Sequence, residues 1–249
     1  AIDRSVTASG RLHIEFNMYS KKFDSLIISS CVLHTMEEFV FHQSLTPDEI
    51  ATRYATLDIE TDSIDPTSGQ TVAIGIGLKD TVAGEQSVDV LTLGGAVGDE
   101  ETLIRRAFER INEFNPGTLV TYNGRGFDLD FLNERLAILD PTQQVELQCE
   151  NNHIDLFVPR KQKAEKQGVK WPSLEEVLEG HGLAVQPTLW RGEELSNTRF
   201  GEELAPEYIQ AIAEDRTATI EDLETVIHEY VMTDIEANLV LYETDAGRR

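Results

Sequence analysis

Cysteine is nearly absent from this chain. Cys31 and Cys149 are the only two in 249 residues, and they form neither a CxxC pair nor a zinc-type spacing. A disulfide framework is therefore unsupported, and a reducing cytoplasm is the expected compartment. No apolar run approaches the ~20 residues needed to span a bilayer, so no membrane association is expected. The glycines around Gly124 fit neither GxGxxG nor GxxxxGK(S/T), which excludes a phosphate-cradling loop there. His13, His34, His42, His181 and His228 show no metal-binding spacing. Lysine is scarce too, with 7 Lys against 14 Arg.

Carboxylate is what the chain has in excess. Asp and Glu number 45 against 21 Lys and Arg, giving a net charge of −24 and a pI near 4.5. With 40% apolar residues the chain has enough material for a buried core, so global disorder is excluded. Carboxylates hold water and salt and keep a chain soluble by mutual repulsion, and this balance reads as adaptation to high salt, as in a halophile. At molar salt the Debye length falls to roughly 3 Å, which screens most of that repulsion.

The excess is uneven. Residues 1–35 carry four basic side chains (Arg4, Arg11, Lys21, Lys22) against three acidic ones (Asp3, Glu15, Asp24), and the acidic part opens at Met36-Glu37-Glu38. Residues 1–35 are expected to be a disordered or mis-started extension, and residues 36–249 a single domain. From residue 54 the pattern becomes orderly. Alternating runs at 55–61, 72–78 and 88–93 predict strands. Apolar spacing over 99–114 predicts a helix stopped by Asn115-Pro116-Gly117. A short buried strand at 118–122 and a helix at 127–139 follow. Residues 145–149 and 153–157 are weaker strand candidates. Ser173-Leu174-Glu175-Glu176 is a capping box opening another helix, and 206–215 and 220–242 complete the chain as helices. This order predicts an α/β sheet of about five strands with helices on both faces.

Three clusters of residues carry chemistry. In Asp58-Ile59-Glu60-Thr61, side chains at i and i+2 share one strand face, so two carboxylates project together. That is stable near a core if a cation neutralises them or if one stays protonated. In Tyr122-Asn123-Gly124-Arg125-Gly126-Phe127-Asp128 a strand ends in a glycine turn, and a helix begins with Asp128 near its positive end. Carboxyl ends of strands in open α/β sheets are where ligands collect. In Tyr230-Val231-Met232-Thr233-Asp234 the tyrosine and aspartate are one helical turn apart. Asp234 falls on an apolar stripe, where an unpaired charge is costly.

Together these clusters resemble the three motifs of the DEDD (DnaQ-like, ribonuclease H-like) 3′–5′ exonucleases. The Tyr-x-x-x-Asp form is similar to the DEDDy branch, which includes the proofreading domains of family-B DNA polymerases. The wording of the first two motifs also resembles stand-alone exonucleases of the YprB-like group. The match runs from about residue 54 to 243, in order. What the resemblance implies is a ribonuclease H-like fold with a mixed five-stranded sheet and a two-metal phosphodiester hydrolase. Asp58, Glu60, Asp128 and Asp234 would serve as metal ligands, and Tyr230 would orient the attacking water. All-oxygen ligands suit two Mg²⁺ or Mn²⁺ ions.

A polyanionic substrate must still approach an acidic protein. Arg160, Lys161, Lys163, Lys166 and Lys170 put five bases into eleven residues with only Glu165 against them. This stretch is expected to track phosphates, with Trp171 stacking on a base. Asn123, Arg125 and Phe127 are further nucleic-acid candidates in the second motif. Asp155 stands between a place near the metals and a structural role, and Trp190 is expected in the core. The expected substrate is single-stranded or frayed DNA. RNA is the alternative, since phosphate geometry does not specify the sugar, and a silent nucleic-acid-binding module is the rival from another class.

Overall fold

The computed structural model describes residues 41–142 and 145–249, and the expected extension at 1–35 lies outside the described residues. Strands β1 (Arg53–Thr61), β2 (Thr71–Asp80) and β3 (Glu85–Thr92) form an antiparallel meander. On the other side of β1, β4 (Thr118–Thr121) and β5 (His153–Asp155) add in parallel, so the sheet order is β3-β2-β1-β4-β5. This is the mixed five-stranded α/β sheet expected from the sequence.

Helix α1 (Glu100–Phe114) begins where the Asp99 side chain accepts from the Thr102 N–H at 2.9 Å, and ends with Asn115 in the left-handed region at φ 52°. It buries Leu103, Ile104, Ala107, Phe108 and Ile111 as one stripe and packs on β2. Helices α2 (Asp128–Leu139), α3 (Phe157–Gln167) and α4 (Leu174–Gly180) follow. A short ladder of β6 (Leu189–Trp190) and β7 (Glu193–Glu194) carries Trp190 into the core, as expected. A turn at Asn197–Arg199 and a π-helical turn at Phe200–Leu204 then run into α5 (Ala205–Ala213).

The long helix α6 (Thr217–Asp245) covers the sheet opposite α1, and two glycines decide how closely. Gly75 and Gly77 stand across from Asp58 and Thr56 in the β1–β2 register. A Cβ on Gly75 would lie 2.5 Å from Ile235 and 2.6 Å from Val231, and one on Gly77 would lie 2.9 Å from Ile235. The glycines let α6 lie on the strand pair, which draws its residues towards the face of β1 that carries Asp58 and Glu60.

Two expectations fail. Residues 145–149 form no strand: Asn112 accepts from the Gln148 N–H at 2.9 Å and donates to the Glu146 carbonyl at 3.0 Å, so a side chain of α1 satisfies this backbone in place of a ladder. The strand expected at 153–157 stops at Asp155, because Phe157 already begins α3.

Candidate metal centre

The cluster forms where β1, α2 and α6 meet at the carboxyl end of the parallel strands. Asp58 and Glu60 point from β1 towards α6, which returns Asp234. One oxygen from each of Asp58, Glu60 and Asp234 lies within 4.8 Å of the others. Asp128, the first residue of α2, stands outside this triple. Its Oδ1 accepts from the Ile59 backbone N–H at 3.1 Å, tying the helix start to β1 between the two β1 acids.

The electrostatics are those of a site short of positive charge. Burial, then the Asp234 and Glu175 carboxylates, pushes Asp58 well above its ordinary range. Burial, then Asp58, Asp234 and Asp128, does the same to Glu60. Asp128 is raised by burial and by Asp58, with the Ile59 N–H acting in the opposite sense. Asp234 is pushed up to about 7 by burial and then by Glu175. Among the described residues, none of these four carboxylates makes an ion pair with a basic side chain. Hard oxygen donors, converging and mutually repelling, fit a divalent cation such as Mg²⁺ or Mn²⁺.

Tyr230 is buried behind the cluster. Its ring stacks on Phe200 at 5.6 Å with 21° between planes, and its hydroxyl donates to Asn197 Oδ1 at 2.5 Å. Burial, followed by Glu60, Asp234 and Asp58, raises the phenol above its ordinary value, so it keeps its proton.

The second-motif turn is held by Asp155. Its carboxylate accepts from the backbone N–H groups of Asn123 at 2.9 Å, Arg125 at 3.0 Å and Phe157 at 3.0 Å. Asp155 therefore braces this turn, and its charge also raises the Asp128 carboxyl. Asn123 adopts φ 73°, and a Cβ on Gly124 would lie 2.4 Å from the Thr121 hydroxyl that accepts the Gly124 N–H. Arg125 directs its guanidinium to the His153 carbonyl, not into the cleft.

A cleft of about 680 Å³ opens over the cluster. Asp58, Glu60, Asp128, Asp234, Asn123 and Phe127 line it, all of them sequence candidates. So do Ile64, Glu175 and Asn197, which sequence reasoning missed. Glu175 had a visible signal as part of the capping box, but nothing local could place that box beside the acids. Among the described residues, no Lys or Arg lines the cleft.

The basic stretch divides around α3. Arg160 is a correction: it is fully buried, donating to Asp245 Oδ1 at 2.7 Å and to the carbonyls of Phe41 and Leu156, so it cannot meet a phosphate. Lys163 donates to the His42 carbonyl at 2.6 Å. Lys170 pairs with Glu176 at 3.1 Å on the surface. Lys161 lies 4.1 Å above the ring of Trp171, which is 47% exposed and meets Phe157 of the cleft wall edge-on. Lys166 is exposed.

A five-stranded sheet of this order, with acids on its central strand, places the protein among ribonuclease H-like folds. The model of the RNase_H superfamily matches residues 55–184, more than half the chain, and the protein belongs to that superfamily. The match ends before Tyr230 and Asp234. Among solved structures, the family B DNA polymerase from the hyperthermophilic archaeon Pyrobaculum calidifontis is similar with a TM-score of 0.53 at 21% identity. The similarity covers 78% of this chain and 24% of the polymerase, so the chain spans about a quarter of that protein's length. At this identity the likeness is one of fold. No curated protein sequence matches the chain. Among the described residues, no helix is long and apolar enough to cross a membrane.

Proposed function

We propose that this protein is a metal-dependent 3′–5′ exonuclease of the DEDDy type, acting on single-stranded or frayed DNA. The observation that carries the reading is the approach of Asp58, Glu60 and Asp234 within 4.8 Å in a cleft with no basic side chain among the described residues. Asp58, Glu60 and Asp234 would hold the ions, with Asp128 one step further out. When bound, two divalent ions supply Lewis-acid polarisation of a phosphodiester and a more acidic water. The chain's own residues do the rest. Ile59 and Asp128 fix α2 against β1, and Asp155 and Asn123 shape the turn beside the reacting phosphate. Tyr230 keeps its proton and directs it to Asn197, so it acts by orienting that amide at the cleft and not as a base.

The fold likeness to a family B DNA polymerase agrees with the resemblance of the three motifs to proofreading domains. The exposed Lys166, Lys170 and Trp171, with the half-buried Lys161 over the Trp171 ring, are the best-placed residues to draw a strand towards the cleft. Adaptation to high salt and a cytoplasmic location complete the proposal. It is tested with 5′-end-labelled single-stranded DNA and RNA incubated with Mn²⁺ or Mg²⁺ in high salt, beside Asp58→Ala. Metal-dependent shortening from the 3′ end, lost in the variant, is expected on DNA. Faster shortening of RNA would reassign the substrate, and no shortening of either would sink the proposal.

A further inference from the structure

A cleft that binds a polyanion without Lys or Arg must offer neutral hydrogen-bond donors to the phosphates its cations do not reach. Asn197 has the required arrangement. An amide has one acceptor oxygen and a nitrogen with two N–H donors. The Tyr230 hydroxyl donates to Asn197 Oδ1 at 2.5 Å, which engages the acceptor end of the amide on the helix side. Among the described residues the Asn197 Nδ2 makes no hydrogen bond, while the residue itself lines the cleft with Asp58, Glu60 and Asp234. Tyr230 is not part of the cleft lining, so its hydroxyl acts on the cleft through Asn197.

The support around this pair is specific. The Ser196 hydroxyl accepts from the Arg199 N–H at 3.3 Å and starts the turn that bears Asn197. The π-helical turn Phe200–Leu204 follows directly, and its first residue stacks on the Tyr230 ring. π turns are rare and concentrate at functional sites. Asn197 and Phe200 therefore grip opposite parts of one tyrosine.

We infer that Asn197 is a substrate-binding residue whose amide nitrogen, left to the cleft by the Tyr230 contact with Oδ1, donates one N–H to a non-bridging oxygen of the terminal phosphodiester. The inference rests on the nucleic-acid reading above, but not on cleavage. It separates Asn197 from a merely structural residue, because the isosteric Asn197→Asp keeps the acceptor for Tyr230 while removing both donors and adding a negative charge.

The test measures binding of a fluorescein-labelled single-stranded oligonucleotide, with Mg²⁺ present, by the full chain carrying Asp58→Asn to prevent turnover. Adding Asn197→Asp should weaken binding about tenfold or more, the scale for losing hydrogen bonds to a charged group. Asn197→Ala should weaken it less. Replacing the last phosphodiester by an uncharged methylphosphonate should remove most of the difference between the parent and the Asn197→Asp variant. Equal affinity of Asn197→Asp and its parent, or a loss that persists undiminished with the methylphosphonate, would overturn the inference. A wild-type chain that binds but does not cleave would defeat the exonuclease reading and leave this one standing, while no binding by the parent would defeat both.

Discussion

The acidic cleft and the basic helix α3 both stood out as charge clusters in the sequence, and they fared differently in three dimensions. The cleft gathers Asp58, Glu60, Asp128 and Asp234 from three elements far apart in the chain. The basic stretch, contiguous in sequence, scatters. A helix turns 100° per residue, so Arg160 faces inward to Asp245 while Lys161 lies against Trp171 and Lys166 faces out. The acids stay together because their spacings respect periodicity: i and i+2 on β1, and a tyrosine and aspartate at i and i+4 on α6. Charge density along a chain predicts a surface poorly, whereas charge at the period of its element predicts one well.

The largest expected effect separates the two regions by activity. Asp58→Ala should lower cleavage by about 10³-fold or more, the scale of losing metal-assisted charge stabilisation. Without divalent ions the same variant should melt no lower than wild type, since one of several repelling carboxylates is gone. Cleavage rates and thermal melts in chelator read the two arms, and a variant that stays active would break the contrast.

Next comes stability. Arg160→Ala strands Asp245 in the core and should cost about 3–5 kcal/mol in urea unfolding. Lys161→Glu with Lys166→Glu should change stability by only about 0.5 kcal/mol each. If Arg160→Ala were as harmless as the lysine pair, the inward assignment of Arg160 would be wrong.

The cleft also sets a pH dependence. Its four carboxylates are raised in the folded state above their unfolded values, so the native protein binds more protons across that interval and stability falls as pH rises. In chelator, stability should therefore decline from about pH 4 to about pH 7, the value to which Asp234 is pushed. Divalent ions, which bind the deprotonated acids, should reverse the loss at the upper end. Melting curves across this range with and without Mg²⁺ check it, and a metal-free stability that rises through the interval would contradict it.

The smallest effect belongs to the outward bases of the basic stretch. Lys161→Glu with Lys166→Glu should weaken oligonucleotide binding several-fold at low salt and reduce its salt dependence, with Mn²⁺ affinity unchanged. Anisotropy titrations at two salt concentrations decide whether α3 tracks phosphates at all.

Much of the fold was legible because its elements are locally consistent. The strand expected at 72–78 is the centre of β2, and the helix expected at 99–114 is α1 with its cap. Helix α3 escaped because its buried stripe of Phe157, Arg160 and Ala164 includes an arginine, which reads as surface until Asp245 is placed beside it. The same holds for the site. The β1 acids and the α6 pair follow from spacing within one element. The electrostatic influence of Glu175 on the cluster and the contact of Asn197 with Tyr230 join segments with no shared period, and only the packing of α4, α6 and the π turn reveals them.

The account's central claim is that the carboxylate cluster is a cation site, and direct Mn²⁺ titration followed by electron paramagnetic resonance at pH 8 tests it most directly. Wild type should deplete free Mn²⁺ with saturable binding, and Asp58→Asn and Asp234→Asn should each bind far more weakly while remaining folded. Wild-type binding no stronger than that of either variant would contradict it.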